Sequence, residues 1–243
     1  MMNLTVPRRR FDPGHPEMID RADHEPGLLE KDLKNLRAIN RFFGGYSVVK
    51  DFLAAAIERI SPSATIDILD LATGSGDHPV EIAKFVQKKG RAVRIVAVEK
   101  NPQTLKVAQR WTKGHPEISI LQGDLLQLDF TDKSFDIVLC SLALHHFSNE
   151  EALFVVREMN RLSRVAFIVN DLHRSWVGAW TTWLYTHATT RNPLTLHDST
   201  LSVLRAFTPE ELRDMAFHAG VQNFEILRRP FFRLILVGKH WTE

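Results

Sequence analysis

The 243-residue chain carries 31 Lys and Arg against 29 Asp and Glu, with 44% hydrophobic residues and a single cysteine. A formal net charge of +2 excludes the strongly basic character of a nucleic-acid or anionic-membrane binder. The lone Cys140 excludes an intrachain disulfide, fits a reducing, cytoplasmic setting, and reads as a buried small hydrophobe within Ile137-Val138-Leu139-Cys140.

No stretch reaches the roughly 18 apolar residues that a membrane span requires. Arg8-Arg9-Arg10-Phe11 leads into Asp12-Pro13-Gly14 rather than an apolar run, so it is not an export signal. The first 25 residues, rich in Pro, Asp and Arg, read as a loosely held arm. Leu29, Leu33, Leu36, Ile39 and Phe43 fall at helical spacing, and Gly44-Gly45 ends that helix. Ser47 is the expected N-cap of a second helix, running to about Ile60.

Strand and helix then alternate. Strands are expected at Ile66 to Leu71, Arg94 to Val98, Ile118 to Gln122, Phe135 to Ser141 and Val165 to Asn170. The intervening helices carry Pro79 near a first turn, Asn101-Pro102 as a cap, and Glu150 to Leu162 as a body. Such alternation implies a parallel sheet with helices on both faces. Residues from Ser175 to about Phe207 form an insertion, and Thr208-Pro209-Glu210-Glu211 is a capping box opening another helix. Phe224 to Leu227 and Phe231 to Val237 read as a closing antiparallel pair.

The chemistry concentrates at strand ends. Asp70-Leu71-Ala72-Thr73-Gly74-Ser75-Gly76 runs from an apolar strand into a glycine turn, where the missing Cβ lets backbone approach a ligand. The next strand ends in Glu99, placed to accept both hydroxyls of a ribose. A dinucleotide fingerprint would need a third glycine where Pro79 stands, so a nicotinamide enzyme is disfavoured. Asp70 and Asp77 flank the loop, suiting a ligand with positive charge and donors better than one with phosphates.

Over roughly residues 60 to 240 the chain resembles the class I S-adenosylmethionine-dependent methyltransferases. Asp70 to Gly76 matches that family's first motif, Glu99 its acidic strand end, and Gly123-Asp124-Leu125 its adenine-side turn. Ser134-Phe135-Asp136 leading to Leu142-Ala143-Leu144-His145-His146-Phe147 is similar to the small-molecule and quinone-precursor members. The resemblance implies a Rossmann-like seven-stranded, mostly parallel α/β sheet with a C-terminal antiparallel strand. A helical cap over residues 1–60 would precede a methyltransferase domain over 61–243, with the insertion at about 175–207.

It also implies S-adenosyl-L-methionine as cofactor, held by Asp70, Ala72, Thr73, Gly74, Gly76, Glu99, Lys100, Gly123, Asp124, Leu125, Ser141 and Leu142. Glu99 would take the ribose, Asp124 the adenine amine, and backbone at Ser141 and Leu142 the methionine amine. As isolated residues, Glu99 would read as a solvated carboxylate and Asp124 as a turn former. No metal is expected.

Methylating a phenol calls for a base, and histidine suits the task. His145 and His146 after the fourth strand and His173 after the fifth are the candidates, with Asp171 and Arg174 orienting His173 or gripping an acidic substrate group. Arg41 would reach an anion, and His197, Asp198 and Arg205 are weaker candidates. Trp176, Trp180 and Trp183 recur at helical spacing, either as core or as the roof of an acceptor pocket facing Phe42 and Phe43. The expected activity is methyl transfer to a small aromatic, phenolic or lipid-like acceptor, with O-methylation favoured. Carbon methylation of a quinone precursor is the alternative, and a noncatalytic binding protein the alternative of another class. Nucleic acid is not an expected substrate, because Ser141-Leu142-Ala143-Leu144 lacks the amino-methylating D/N-P-P-Y/F turn.

Overall fold

A computed structural model describes residues 6–21 and 23–241. Residues 1–5 and 22 of the expected arm, and 242–243, lie outside the described residues. The elements in chain order are α1 (Pro26–Phe42), α2 (Gly45–Ile57), β1 (Ile66–Leu71), α3 (Asp77–Lys88), β2 (Val93–Glu99) and α4 (Pro102–Trp111). They continue with β3 (Ile118–Gln122), β4 (Phe135–Ser141), α5 (Asn149–Leu162), β5 (Ser163–Leu172), α6 (Trp176–Thr189) and α7 (Pro193–Arg205). The chain closes with α8 (Pro209–His218), β6 (Phe224–Arg229) and β7 (Arg233–Lys239).

One sheet of order β3-β2-β1-β4-β5-β7-β6 results. Strands β1 to β5 are parallel, β7 runs antiparallel to β5, and β6 antiparallel to β7. Alternation along the strands builds two cores. Ile66 and Ile68 of β1 face α2 and α3, whereas Leu69 and Leu71 face α5 and α8. Cys140 is fully buried in the second of these layers, as its apolar neighbours imply. Gly238 of β7 lies against Phe167 so closely that a Cβ there would collide with the ring. The strand order reverses between β1 and β4, and that switch point opens a crevice at the carboxyl ends of the strands.

Three expectations are corrected. Helix α2 is capped by Gly44 in the left-handed region (φ 72°) rather than by Ser47, whose hydroxyl donates to the Gly44 carbonyl. It packs on the sheet, and the cover over the strand ends comes instead from α1, α6, α7 and the segment before α1.

That N-terminal segment is not loosely held. Arg9 donates to the carbonyls of Arg205 (2.6 Å) and Phe147 (2.7 Å), and its guanidinium stacks 3.9 Å over the Phe207 ring. Met18 and Ile19 each donate a backbone N–H to Asp198 at 2.8 Å, fixing a 3-10 turn over Met18–Asp20. Charge and proline made the segment look solvated, but its charges find partners on α7 and after β4.

Third, β5 extends to Leu172, so Asp171 is a strand residue with a fixed direction rather than part of a loop.

Candidate active site

Crevice and cover enclose a cavity of about 910 Å³. Ala72, Thr73, Gly74, Glu99, Lys100, Asp124, Leu125, Ser141, Leu142, His145 and His146 line it, drawn from the ends of four strands. Asp70, Gly76 and Gly123 do not line it. Gly76 sits at φ 72° as the cap of α3, where a Cβ would lie 2.8 Å from Thr112, so its glycine serves the turn and helix packing.

The chain bends sharply where β1 and β4 end. Ala72 (φ 53°) and Leu142 (φ 54°) adopt the left-handed region, at a cost of order 1–3 kcal/mol each that clusters at functional sites. Each bend is secured by the next or same residue's amide: Thr73 donates to the Val98 carbonyl (2.9 Å) and Leu142 to that of Asn170 (2.8 Å). Gly74 (φ 58°) has nothing within 4 Å of a would-be Cβ, leaving its backbone open to the cavity.

Electrostatics there are negative. Glu99 accepts backbone N–H groups from Gly74 (2.9 Å) and Asn101 (2.8 Å), while burial raises its pKa above the usual carboxylate value. A carboxylate has about four acceptor directions, so two remain for a diol. Asp70, at the buried end of β1, has an Oδ2 with no hydrogen-bond partner, and burial pushes it up to about 7. Asp77 also lines the cavity. Burial opposes its ionisation, yet hydrogen bonds from Ser75, Tyr46 and Asn40 hold it below the ordinary range. Burial depresses His78 to about 4, so it is neutral beside the Ser141 hydroxyl at 3.0 Å. Asp124 caps the turn at Leu126 (3.0 Å) and pairs with the exposed Lys100 (2.8 Å), so it is a turn former and a cavity wall at once.

At the other side, His145 is 3% exposed and clamped twice by Asp171. Its backbone N–H reaches Oδ2 at 2.9 Å and its Nδ1 reaches Oδ1 at 2.6 Å. Burial works against Asp171, but His145 holds it below the ordinary carboxylate range; an ionised Asp171 accepts from Nδ1–H, which turns Nε2 toward Glu17. Glu17 stands 3.8 Å from that Nε2, its Oε1 unpartnered and its Oε2 accepting from Ser202 at 2.6 Å. His146 differs. Burial opposes its charge, but Glu17 and Asp20, the latter 2.8 Å from Nδ1, push it up to about 10, so it stands as an imidazolium. Glu17, His145 and His146 bring one ligand-type atom each within 4.8 Å of one another, a grouping the sequence reading did not contain.

Several expected acceptor-side residues lie elsewhere. His173 is bridged to Phe207 outside the cavity, and Asp171 orients His145 instead of it. Arg174 is buried against the carbonyls of Pro7 (2.9 Å) and Ala206 (2.7 Å) and the Glu211 carboxylate (2.5 Å), a structural role. Arg41 is exposed and outside the cavity. Trp176, Trp180 and Trp183 are 48%, 62% and 45% exposed, neither core nor roof; the opposite face of α6, with Thr182, Tyr185 and Thr186, forms the wall. The tryptophans had the right period but the wrong phase. Phe43 lines the cavity, edge-on to Tyr185 at 4.9 Å, whereas Phe42 is exposed. Of the weaker candidates Asp198 lines the cavity, Arg205 is buried beneath it, and His197 only pairs with Asp198. Glu17, Asp20, Asn40 and Arg233 were missed, because nothing local marks residues from an arm, a helix and a last strand as neighbours.

Comparison with known proteins agrees with this geometry. Residues 68–165 match a family model described as a methyltransferase domain. A demethylmenaquinone methyltransferase of Deinococcus radiodurans is 36% identical over 98 residues, 40% of this chain and 38% of that protein. The chain thus spans under two fifths of that relative. One of the same name from Thermotoga maritima is 24% identical over 222 residues, 86% of this chain and 91% of the relative. A ubiquinone/menaquinone biosynthesis C-methyltransferase of Hahella chejuensis is 25% identical over 149 residues, 56% of this chain and 58% of the relative. A solved SAM-dependent methyltransferase from Aquifex aeolicus shares the fold with a TM-score of 0.59 at 14% identity, covering 89% of this chain and 98% of that one.

The fold, the methyltransferase-domain match over residues 68–165 and the site make the chain similar to the class I S-adenosylmethionine-dependent methyltransferases. Within that class its named relatives are of the quinone-methylating type. The cofactor expected from sequence therefore stands, and no described helix is long and apolar enough to cross a membrane.

Proposed function

We propose that this protein transfers a methyl group from S-adenosylmethionine to a ring carbon of a lipid-like, quinone-precursor type acceptor, with His145 as the base. The observation carrying this reading is the Asp171–His145 pair on the wall of a cavity otherwise rich in apolar residues such as Leu36, Ile39, Phe43 and Tyr185. The sequence favoured an oxygen acceptor; similarity to the C-methyltransferase of Hahella chejuensis supports carbon.

The residues fit the cofactor. Asp77 on the cavity wall supplies negative charge where an ammonium and a sulfonium would lie, Asp70 is buried just outside the lining, and Glu99 keeps acceptor directions for a ribose. When bound, that cofactor supplies a sulfonium-activated methyl group. His145 takes the acceptor's hydroxyl proton on Nε2, which drives electron density to the ring carbon. Glu17 at 3.8 Å stabilises the resulting imidazolium; the displaced ring C–H proton passes to solvent, restoring aromaticity, and the imidazolium returns its proton to the product's phenolate oxygen. Holding the reacting atoms about 3–3.5 Å apart is the task of the apolar wall.

Incubation with methyl-labelled cofactor and a panel of naphthols, hydroxyquinones and catechols tests this reading. A new carbon-bound methyl resonance is expected; an ether methyl in its place rejects the carbon assignment.

Affinity for S-adenosylmethionine should depend on pH through Asp70. A carboxylate raised to about 7 in the fold, from an ordinary value near 4, makes the apo protein less stable as pH climbs through that window. A cationic ligand favours the ionised form, so affinity should rise several-fold from about pH 6 to about pH 8. Calorimetry on Asp70→Asn should show a flat profile, and an unchanged slope removes Asp70 from this role.

A further inference from the structure

Three arginines are nearly fully buried among the described residues, and one of them has no carboxylate within 4 Å. Arg174 has two carbonyls and a carboxylate, and Arg205 has backbone carbonyls with Glu17 nearby. Arg233, 2% exposed at the start of β7, makes one hydrogen bond, from Nη2 to the Asn40 side-chain carbonyl at 3.0 Å. Its Nη1 is buried without a partner, and no ion pair to Arg233 occurs among the described residues. A guanidinium offers five donors, and burying one with so few acceptors is costly. Burial lowers it only to about 10, so it remains a cation at neutral pH.

The side chain lines the same cavity as His145, and Gly45 makes room for it: a Cβ there would come 3.2 Å from Nη2. We infer that Arg233 is an anion-binding residue of the cavity, pairing with a carboxylate or oxyanion of a bound small molecule. This ligand chemistry has two sources, an acceptor's anionic group or the carboxylate of the cofactor's methionine. Strand order favours the acceptor. Arg233 sits opposite Leu172 of β5, and β7 lies three strand spacings from β1, about 14 Å, on the side away from Glu99 and Asp124. An acceptor hydroxyl that gives its proton to His145 becomes an oxyanion, and a fixed guanidinium nearby would stabilise it. That assignment of source rests on the function proposed above, whereas the anion site itself does not.

Arg233→Met separates the possibilities without requiring turnover. The probes are 1-naphthol, 1-hydroxy-2-naphthoate and S-adenosylhomocysteine, each titrated calorimetrically, with the naphthyl probes added to S-adenosylhomocysteine-loaded protein. Loss of one charge-assisted hydrogen-bonded pair should weaken 1-hydroxy-2-naphthoate by about 10–100-fold and leave the neutral naphthol within about twofold. The melting temperature should hold or rise, because an unpaired buried charge has been replaced by an apolar side chain of similar length. A selective loss of S-adenosylhomocysteine affinity instead assigns the anion to the cofactor. If all three affinities match wild type, or the melting temperature falls with no selective loss, Arg233 is a structural residue and the inference is overturned. Should the Met variant fail to fold, Arg233→Lys is read the same way: it keeps the charge but loses the forked donor, so a smaller selective loss supports the site and none overturns it.

Discussion

His145→Ala should lower methyl-transfer turnover by about 10²–10⁴ while S-adenosylhomocysteine affinity stays within a few-fold of wild type. The magnitude follows from losing a positioned base, and the split between turnover and affinity follows from place. His145 stands beside Glu17 and above Asp171, on the far side of Ser141 from the Glu99 and Asp124 strand ends. Asp171→Asn should mimic much of the loss, since an amide can leave the imidazole in the wrong tautomer. His146→Ala is the control. Its ring is already held as a cation by Glu17 and Asp20, so removing it should not abolish proton abstraction. Single-turnover measurements decide the matter: a His145 variant with near-normal chemistry would end its assignment as base.

Glu99→Ala should weaken the cofactor by at least about tenfold, the equivalent of one charge-assisted hydrogen bond of about 1.5–3 kcal/mol. A larger loss is reasonable because this carboxylate does two things. It offers acceptors to a ribose, and it ties the Gly74 and Asn101 amides to the end of β2, shaping the turn that the cofactor must approach. Glu99→Gln helps to separate these contributions. One amide oxygen can replace one acceptor only, so the variant should fall between wild type and Ala. Equilibrium titration of wild type and both variants, with melting curves alongside, reads the result. An unchanged affinity in Glu99→Ala removes the ribose role.

Much of the architecture was legible because local signals agreed with the global fold. Alternation placed β3 and β4 to the residue, Asn101 caps α4 ahead of Pro102, and Thr208 with Glu211 forms the expected reciprocal cap of α8. Glu99, Asp124 and Gly74 could be found since each stands at a strand end or within three residues after one, and strand ends of an open parallel sheet converge on one crevice. Periodicity could not give phase. The Trp176, Trp180, Trp183 stripe is a true helical face, but only the neighbours of α6 decide which face turns inward.

The amino-acid sequence by itself determined the order of strands and helices, the glycine turn and the acidic strand ends, because these depend on neighbours within a few residues. Tertiary structure alone decided that Asp171 serves His145 instead of His173, and that Glu17, Arg233 and Asn40 share one cavity. Such pairings join residues from 26 to 193 positions apart, on different elements. Their energies arise only when burial removes water and leaves each charge to find the partner that folding has brought within reach.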